Sequence, residues 1–137
     1  MQAHPDVLAV RWQIHAKAEK WDACVDIAEA VVKLAPSQAE GWIHRSYALH
    51  VLKRTQEAFD KLLPVAEEFP TVWTIPYNFA CYCSQLRRFE EAQEWFKKVM
   101  AIDKRTVQRA AIGDPDLKPL WDSMSGTGWR PHNTCPR

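Results

Sequence analysis

Apolar residues recur every three or four positions along most of the chain, which is the spacing of amphipathic helices. The pattern predicts three pairs of helices, spanning about 5–19 and 21–34, about 39–52 and 55–68, and about 74–86 and 89–102. The second and fourth helices are predicted to end before Pro36 and Pro70, because the residue before a proline disfavours the helical conformation. Thr74 is expected to cap the fifth helix. Only a short polar turn separates the two helices of each pair, so the paired helices are predicted to be antiparallel.

The three pairs repeat with a period of 34 residues, without gaps. Self-similarity at such a period is typical of proteins built from stacked helix pairs, in which small residues mark the close approach of two helices. One column of the alignment holds only small residues, and others hold mostly large apolar ones: Cys24, Ala58 and Ala92; Val31, Val65 and Val99; Trp21, Thr55 and Phe89; Ala28, Leu62 and Phe96.

The repeat resembles the tetratricopeptide repeat over about residues 5–104. The resemblance is carried by small residues at the helix crossings, by aromatic residues and by the closing prolines: Ser46, Ala58, Ala80, Ala92, Trp42, Phe89, Pro36 and Pro70. The third unit, YNFACYCSQLRRFEEAQEWFKKVMAID, is the best match. Together with the later segment DPDLKPLW, it resembles the bacterial variant that ends a repeat array. The resemblance implies an all-α fold, a right-handed α-solenoid of three antiparallel helix pairs.

Three residues depart from the family pattern. Trp12 replaces a small residue in the first unit, and Lys104 replaces the closing proline of the third. Pro64 lies inside the second helix of the middle unit, where it removes one backbone hydrogen bond. We therefore expect that helix to be kinked.

The segment that follows the repeats is predicted to cap the apolar end of the third unit. Residues 105–112 suit a short helix, Gly113 to Pro115 break it, and 116–124 carry Leu117, Leu120 and Trp121 at helical spacing. A stacked array requires such a cap. The predicted organisation is repeats at 5–36, 39–70 and 73–104, a cap at 105–124 and an irregular tail at 125–137.

Composition sets the broad class. A chain of 137 residues with nearly half apolar residues is typical of one globular domain. The formal charge of +1 gives no electrostatic argument for nucleic acid or an anionic membrane. We find no membrane span and no signal peptide, and the four cysteines do not suggest a disulfide scaffold. These features favour a cytoplasmic protein with reduced thiols.

The resemblance places a binding groove on the first helix of each pair. Its middle is apolar and aromatic, which suits an extended peptide or a partner helix. The predicted groove residues are Gln13, Lys17, Ile43, Tyr47, His50, Val51, Tyr77, Cys81 and Ser84. Further contact positions of the family are Asp6, Ala9, Ala16, Glu40, Thr74 and Gln85.

Some family members bind a C-terminal carboxylate with a clamp of lysine, asparagine and arginine. The matching positions hold no lysine or arginine here: Ala9, Gln13, His44, Thr74 and Asn78. A strong carboxylate site needs convergent positive charges, so we do not expect a co-chaperone of that kind.

No catalytic or metal-binding constellation is apparent. The sequence has no phosphate-binding loop, HExxH or GxSxG motif. Cys81 and Cys83 are two residues apart on a predicted helix, which places them on nearly opposite sides of its axis. His132 and Cys135 supply only two of the four ligands of a tetrahedral metal site. We therefore predict no enzyme, no cofactor and no metal.

The leading hypothesis is a non-catalytic scaffold or adaptor that binds a protein or peptide partner in its concave groove. The alternative is a scaffold that self-associates through the groove or through the tail, where Trp129 is the candidate. A minor alternative is RNA binding by the basic C-terminal third. Glutamates interleave with its lysines and arginines, and Glu94 and Lys98 are spaced to pair on one helix face.

Overall fold

The computed structural model describes residues 4–125, and all regular structure in that range is helical. The all-α class predicted from the periodicity is therefore confirmed. Of the predicted tail, residues 126–137, with Trp129, His132 and Cys135, lie outside the described residues. The α-helices are α1 (Pro5–Lys17), α2 (Trp21–Leu34), α3 (Ala39–Val51), α4 (Thr55–Leu62), α5 (Thr74–Gln85), α6 (Phe89–Ile102), α7 (Lys104–Ile112) and α8 (Lys118–Met124).

The chain divides into two compact units, with the boundary between Phe69 and Pro70. The chain length predicted one domain, whereas the structure has a first unit containing α1 to α4 and a second containing α5 to α8. Neighbouring helices pack against one another within each unit. No helix among residues 4–125 has the length and apolar character needed to cross a membrane.

Small residues let the helices of the first unit approach closely. The buried Ser46 hydroxyl donates to the carbonyl of Ala58 at 2.8 Å, and the buried Cys24 thiol faces the carbonyl of Trp12 at 3.7 Å. A Cβ atom at Gly41 would lie only 2.9 Å from a methyl group of Val31, so α2 and α3 touch there. Small residues are required at Cys24, Gly41 and Ser46 because backbone and side chains of neighbouring helices meet at these positions.

The turns inside the helix pairs share one unusual backbone conformation. Glu19, Lys53 and Arg87 have φ angles of 58°, 67° and 61°, in the left-handed region, and they are 34 residues apart. The helices that follow begin at Trp21, Thr55 and Phe89, which keep the same spacing. The period read from the side chains is therefore also a period of the backbone.

Two local predictions need correction. Pro64 does not kink a continuous helix: α4 ends at Leu62 and a 3-10 turn, Leu63–Val65, follows it. Proline has no N–H to donate to an earlier carbonyl, so the α-helical ladder stops and the tighter turn replaces it. Thr74 does not cap α5 either, since Trp73 holds the N-cap position and Thr74 is the first helical residue.

The second unit buries the segment that follows its helix pair. After α7, a 3-10 turn (Pro115–Leu117) leads into α8. Leu117 and Leu120 are fully buried, and Trp121 meets the ring of Phe96 edge-on with the centroids 5.2 Å apart. The apolar residues of this segment thus pack onto α5 and α6, the helices of the third pair.

Candidate functional site

The first helices of the first two pairs lie side by side in the first unit. Both α1 and α3 pack against α2, and short turns make each of them antiparallel to it. The rings of Trp12 on α1 and His44 on α3 stack with 4.1 Å between centroids. Residues recurring every three or four positions share one helix face, and two such rows are Asp6, Ala9, Gln13 and Lys17 on α1 and Glu40, His44, Tyr47 and Val51 on α3.

Three aromatic rings in succession, those of Trp12, Trp21 and Tyr47, connect α1, α2 and α3. Trp12 is buried and meets Trp21 edge-on at 6.1 Å between centroids. Trp21 in turn meets the ring of Tyr47 edge-on at 5.8 Å. Tyr47 remains 41% exposed, so its ring is held in place by aromatic contacts and still reaches solvent. A tyrosine in this situation can bind a partner with little further loss of side-chain freedom.

The other predicted groove residues of the first unit differ in exposure. Gln13 and Lys17 are exposed, whereas Ile43, His50 and Val51 are half-buried. The His50 Nδ1 atom lies 3.0 Å from the Thr55 hydroxyl, which connects α3 to the start of α4. These residues offer a mixed surface with Tyr47 as its most exposed aromatic group.

A small cavity opens at the N-terminal ends of α1 and α3. Its volume is about 140 Å³, and it is lined by Pro5, Asp6, Ala9, Val31, Gln38, Glu40 and His44. Burial lowers the pKa of His44, and the nearby Glu40 carboxylate acts in the opposite direction. The imidazole is therefore neutral at neutral pH, so the charges among the described residues of the cavity wall are the carboxylates of Asp6 and Glu40.

The second unit presents the predicted groove residues differently from expectation. Tyr77 is 7% exposed, Cys81 4% and Ser84 0%, so none of them forms an open surface. The Tyr77 hydroxyl donates to Asp114 at 2.5 Å, and the Ser84 hydroxyl accepts the backbone N–H of Leu120 at 3.1 Å. The physical reason is that the chain's own segment after α7 covers this face of α5.

The same segment is held by further polar contacts. The Gln85 side-chain amide donates to the carbonyl of Asp116 at 2.9 Å, and Asp114 accepts the N–H of Asp116 at the start of the 3-10 turn. Burial, the first cause, and the carboxylates beside them raise the pKa values of the Tyr77 phenol and the Cys81 thiol. Both groups therefore stay protonated and can donate to Asp114.

Cys81, Asp114 and Asp116 form a group with the ligand types that metal ions use. Their ligand atoms lie within 4.8 Å of one another. However, metal binding requires the thiolate, and burial raises the pKa of this thiol well above its usual value. Asp114 is already used to position the segment, so its contacts explain why the three residues meet.

The remaining cysteines of the described range are buried thiols. Cys24, Cys81 and Cys83 are free and buried. Burial and the Glu91 carboxylate raise the pKa of Cys83 to about 12, and burial raises the pKa of Cys24. Low reactivity follows, because the thiolate is the nucleophilic form.

The basic residues of the C-terminal third are interleaved with other groups. The predicted pair of Glu94 with Lys98 is replaced by two contacts: Lys97 approaches Glu94 at 3.6 Å, and the Lys98 ammonium lies 4.5 Å from the centre of the Trp95 ring. Three glutamates, Glu90, Glu91 and Glu94, line a shallow depression on the same helix together with Gln93, Trp95 and Lys98. This mixture gives α6 no continuous cationic track for a phosphate backbone.

Sequence reasoning missed two features of the first unit. The role of Trp21 beneath Tyr47 was not foreseen, because it joins two helix pairs. The cavity was not foreseen either, since Val31 comes from the end of α2 and Gln38 from the turn before α3. The family contact positions Asp6, Ala9 and Glu40 were the available signal for it.

Comparisons with known proteins identify no family. No protein-family model matches the sequence. No curated protein matches it either.

Proposed function

We propose that this protein is a non-catalytic interaction module that binds a peptide or helix of a protein partner. The tetratricopeptide-like character, the α-solenoid arrangement of the helix pairs and the cytoplasmic location are part of the same proposal. The observation that carries it is Tyr47, an aromatic ring that is 41% exposed and seated on Trp21. Exposed tyrosines with fixed geometry are typical anchors of protein interfaces.

The proposed binding surface is narrower than the one predicted from the sequence. It keeps the groove residues of the first unit, namely Gln13, Lys17, Ile43, Tyr47, His50 and Val51. Tyr77, Cys81 and Ser84 are left out, because the segment around Asp114 occupies their side of α5. Binding would derive from burial of apolar side chains around Tyr47, with polar residues at the edge fixing the register.

Site-specific crosslinking tests this surface. A photoreactive phenylalanine analogue is placed at Tyr47 in one variant and at Lys33, an exposed residue of α2, in another. We expect a discrete crosslinked partner from the native cell with the Tyr47 variant and none in common with the Lys33 variant. Tyr47→Ala should abolish capture by the full chain, and Lys33→Ala should leave it intact.

Equal crosslinking from both positions, or capture that survives Tyr47→Ala, would contradict the proposed surface. Helical circular dichroism of each variant controls for folding. Tyr47 is partly exposed, so its truncation should leave the helix content unchanged.

Self-association is the second candidate, and one observation favours it. Val7, Val10 and Ile14 form an apolar stripe along α1 and are 47%, 60% and 61% exposed. Exposed apolar stripes mark interaction surfaces in many proteins. Light scattering of the wild-type chain and of a Val10→Glu/Ile14→Glu variant decides: a dimer mass that the variant loses supports self-association, and monomeric masses for both exclude it.

A further inference from the structure

The second unit shows how one face of a repeat helix is covered by another segment of the chain. The Tyr77 hydroxyl donates to the Asp114 carboxylate at 2.5 Å, and the Gln85 amide donates to the carbonyl of Asp116 at 2.9 Å. The 3-10 turn and α8 pack against α5, and Leu117 of this segment is fully buried. The chain therefore carries its own ligand for α5, a segment with acidic residues at its start and leucines behind them.

The 34-residue period transfers this face to the helices of the first unit. The period holds for the backbone as well as for the side chains, because the three turns share one conformation at equal spacing. Residues that are 34 apart therefore occupy equivalent places on α1, α3 and α5. The residues equivalent to Cys81 are Tyr47 and Gln13, and those equivalent to Gln85 are Val51 and Lys17.

In the first unit this face is open to solvent, since Gln13, Lys17 and Tyr47 are exposed. Within residues 4–125, the side chains of Gln13 and Lys17 make no hydrogen bond or ion pair. The equivalent residues of α5, Cys81 and Gln85, both donate to the segment that covers them. The first unit thus presents donors at the same two positions without the covering segment.

The donors on α1 favour an acidic partner residue. An amide N–H and an ammonium both donate to carboxylates, and the hydrogen bond from the charged donor is the stronger of the two. Lys17 carries a permanent positive charge, and the six residues of the proposed surface include no aspartate or glutamate. Asp6 and Glu40 lie on the same two helices but near the opposite, N-terminal ends. The face is therefore complementary to a carboxylate near the C-terminal end of α1.

The residues on α3 favour leucine side chains next to that carboxylate. Tyr47 contacts the ring of Trp21, which begins α2 directly after the turn from α1, so Tyr47 lies beside the end of α1. Ile43 and Val51, one helical turn to either side of Tyr47, are half-buried. Together they form an apolar row next to the donors, which suits side chains like the buried leucines of the covering segment.

We propose that this face of the first unit binds a partner segment with the chemistry of the chain's own residues 114–120. The partner carries a carboxylate that binds Gln13 and Lys17, followed three and six residues later by leucines that pack around Tyr47. The inference rests on the proposed function, because it names the chemistry of the partner for the same surface. The observation behind it is the segment already bound on the equivalent face of α5.

A peptide copy of that segment tests the proposal on the full chain at pH 7.5. The probe is GDPDLKPLWDSMS, residues 113–125, with an acetylated and an amidated end. One control peptide has asparagine in place of the first two aspartates, and a second has alanine in place of both leucines. Nitrogen-edited nuclear magnetic resonance spectra of the labelled chain report the backbone amides of Gln13 and Tyr47 in the first unit and of Tyr77 and Leu120 in the second.

We expect saturable shifts at Gln13 and Tyr47, and binding about tenfold weaker for the asparagine peptide, the size expected for losing a charge-assisted hydrogen bond. The alanine peptide should bind about tenfold more weakly or worse, because it buries less apolar surface. Lys17→Gln should weaken binding of the acidic peptide about tenfold and leave binding of the asparagine peptide unchanged, since that pair is already broken. Lys33→Gln, the same charge change at an exposed residue of α2, should change neither.

Saturable shifts confined to Tyr77 and Leu120 would overturn the proposal, because the peptide would only be replacing the chain's own segment in the second unit. An absence of shifts in the first unit would overturn it as well. Equal binding of the acidic peptide and either control peptide, or equal effects of Lys17→Gln and Lys33→Gln, would show that this chemistry is not recognised. The crosslinking at Tyr47 uses the native partner rather than this peptide, so the interaction function can survive the failure of this inference.

Discussion

The hydrogen bond between Tyr77 and Asp114 decides whether Tyr77 is a structural or a binding residue. The Tyr77 hydroxyl lies 2.5 Å from a carboxylate oxygen of Asp114. Tyr77→Phe deletes this donor and keeps the buried ring. Hydrogen bonds to charged groups contribute about 1.5–3 kcal/mol, and Asp114 is only half-buried, so we expect a loss of about 2 kcal/mol of stability in the second unit.

Removing the acceptor should have a larger effect. Asp114→Ala leaves the buried phenol hydroxyl without its carboxylate, which costs about 1–3 kcal/mol. It also removes the cap of the 3-10 turn, since Asp114 accepts the N–H of Asp116 at 3.0 Å, and a lost cap costs about 1 kcal/mol. We expect a total of about 2–4 kcal/mol. The Tyr77→Phe/Asp114→Ala double variant should be no less stable than Asp114→Ala, because the phenylalanine ring leaves no hydroxyl unpaired.

Hydrogen exchange measured by mass spectrometry is the appropriate assay, because the chain has two compact units that need not unfold together. Peptides from α5 and α8 report the second unit. Lys118→Ala is the matched control: it breaks the exposed pair with Asp122 at 2.7 Å and should change stability by less than about 1 kcal/mol.

A Tyr77→Phe variant whose second unit keeps wild-type protection would refute the reasoning. The hydroxyl of Tyr77 would then have no structural role, and its contact with Asp114 would not help to hold the segment after α7 on α5. An additive double variant would equally contradict a direct Tyr77–Asp114 interaction.

Two further predictions concern the first unit and the end of α7. Gly41→Ala should destabilise the protein by about 1–3 kcal/mol, because the new Cβ atom would lie 3.0 Å from the backbone nitrogen of Val32. In Gly113→Ala the new Cβ atom enters open space, so this variant should stabilise the protein by about 0.4–1 kcal/mol. Urea unfolding compares the two variants, and a stabilising Gly41→Ala would refute the close contact. Burial lowers the folded-state pKa of His44, so its contribution to stability is present above pH 6.5 and is lost as the pH falls through the folded pKa. His44→Phe should therefore reduce the loss of stability with falling pH below pH 6.5, and an unchanged pH dependence would contradict this assignment. Glu40→Gln should lower the pKa of His44 further in a nuclear magnetic resonance titration, and an upward shift of that pKa would contradict it.

Much of the helical framework was predictable from local signals. The helix at Trp21–Leu34 has the predicted bounds, because the periodicity lies within the segment and Pro36 follows directly after its end. The sequence predicted a disturbance of the helix near Pro64 but not its form: a kink was expected, and α4 instead ends at Leu62 and is followed by a 3-10 turn.

The candidate site was predictable only in part. The positions on α1 and α3 follow from helical spacing, which places residues three or four apart on the same side of one helix. The burial of Tyr77 and Ser84 depends on a segment more than thirty residues further along the chain. No local pattern in α5 distinguishes a face covered by its own chain from a face open to a partner.

The amino-acid sequence by itself determined the helical class, the 34-residue period and the positions where small residues allow two helices to approach closely. These features follow from interactions within one helix or between two neighbouring helices. Tertiary structure alone decided which surfaces are available. It seated Tyr47 on Trp21, brought Asp6 and Glu40 to one cavity and used Asp114 to cover Tyr77. The reason is that exposure is a property of three-dimensional neighbours, and those neighbours come from distant parts of the chain.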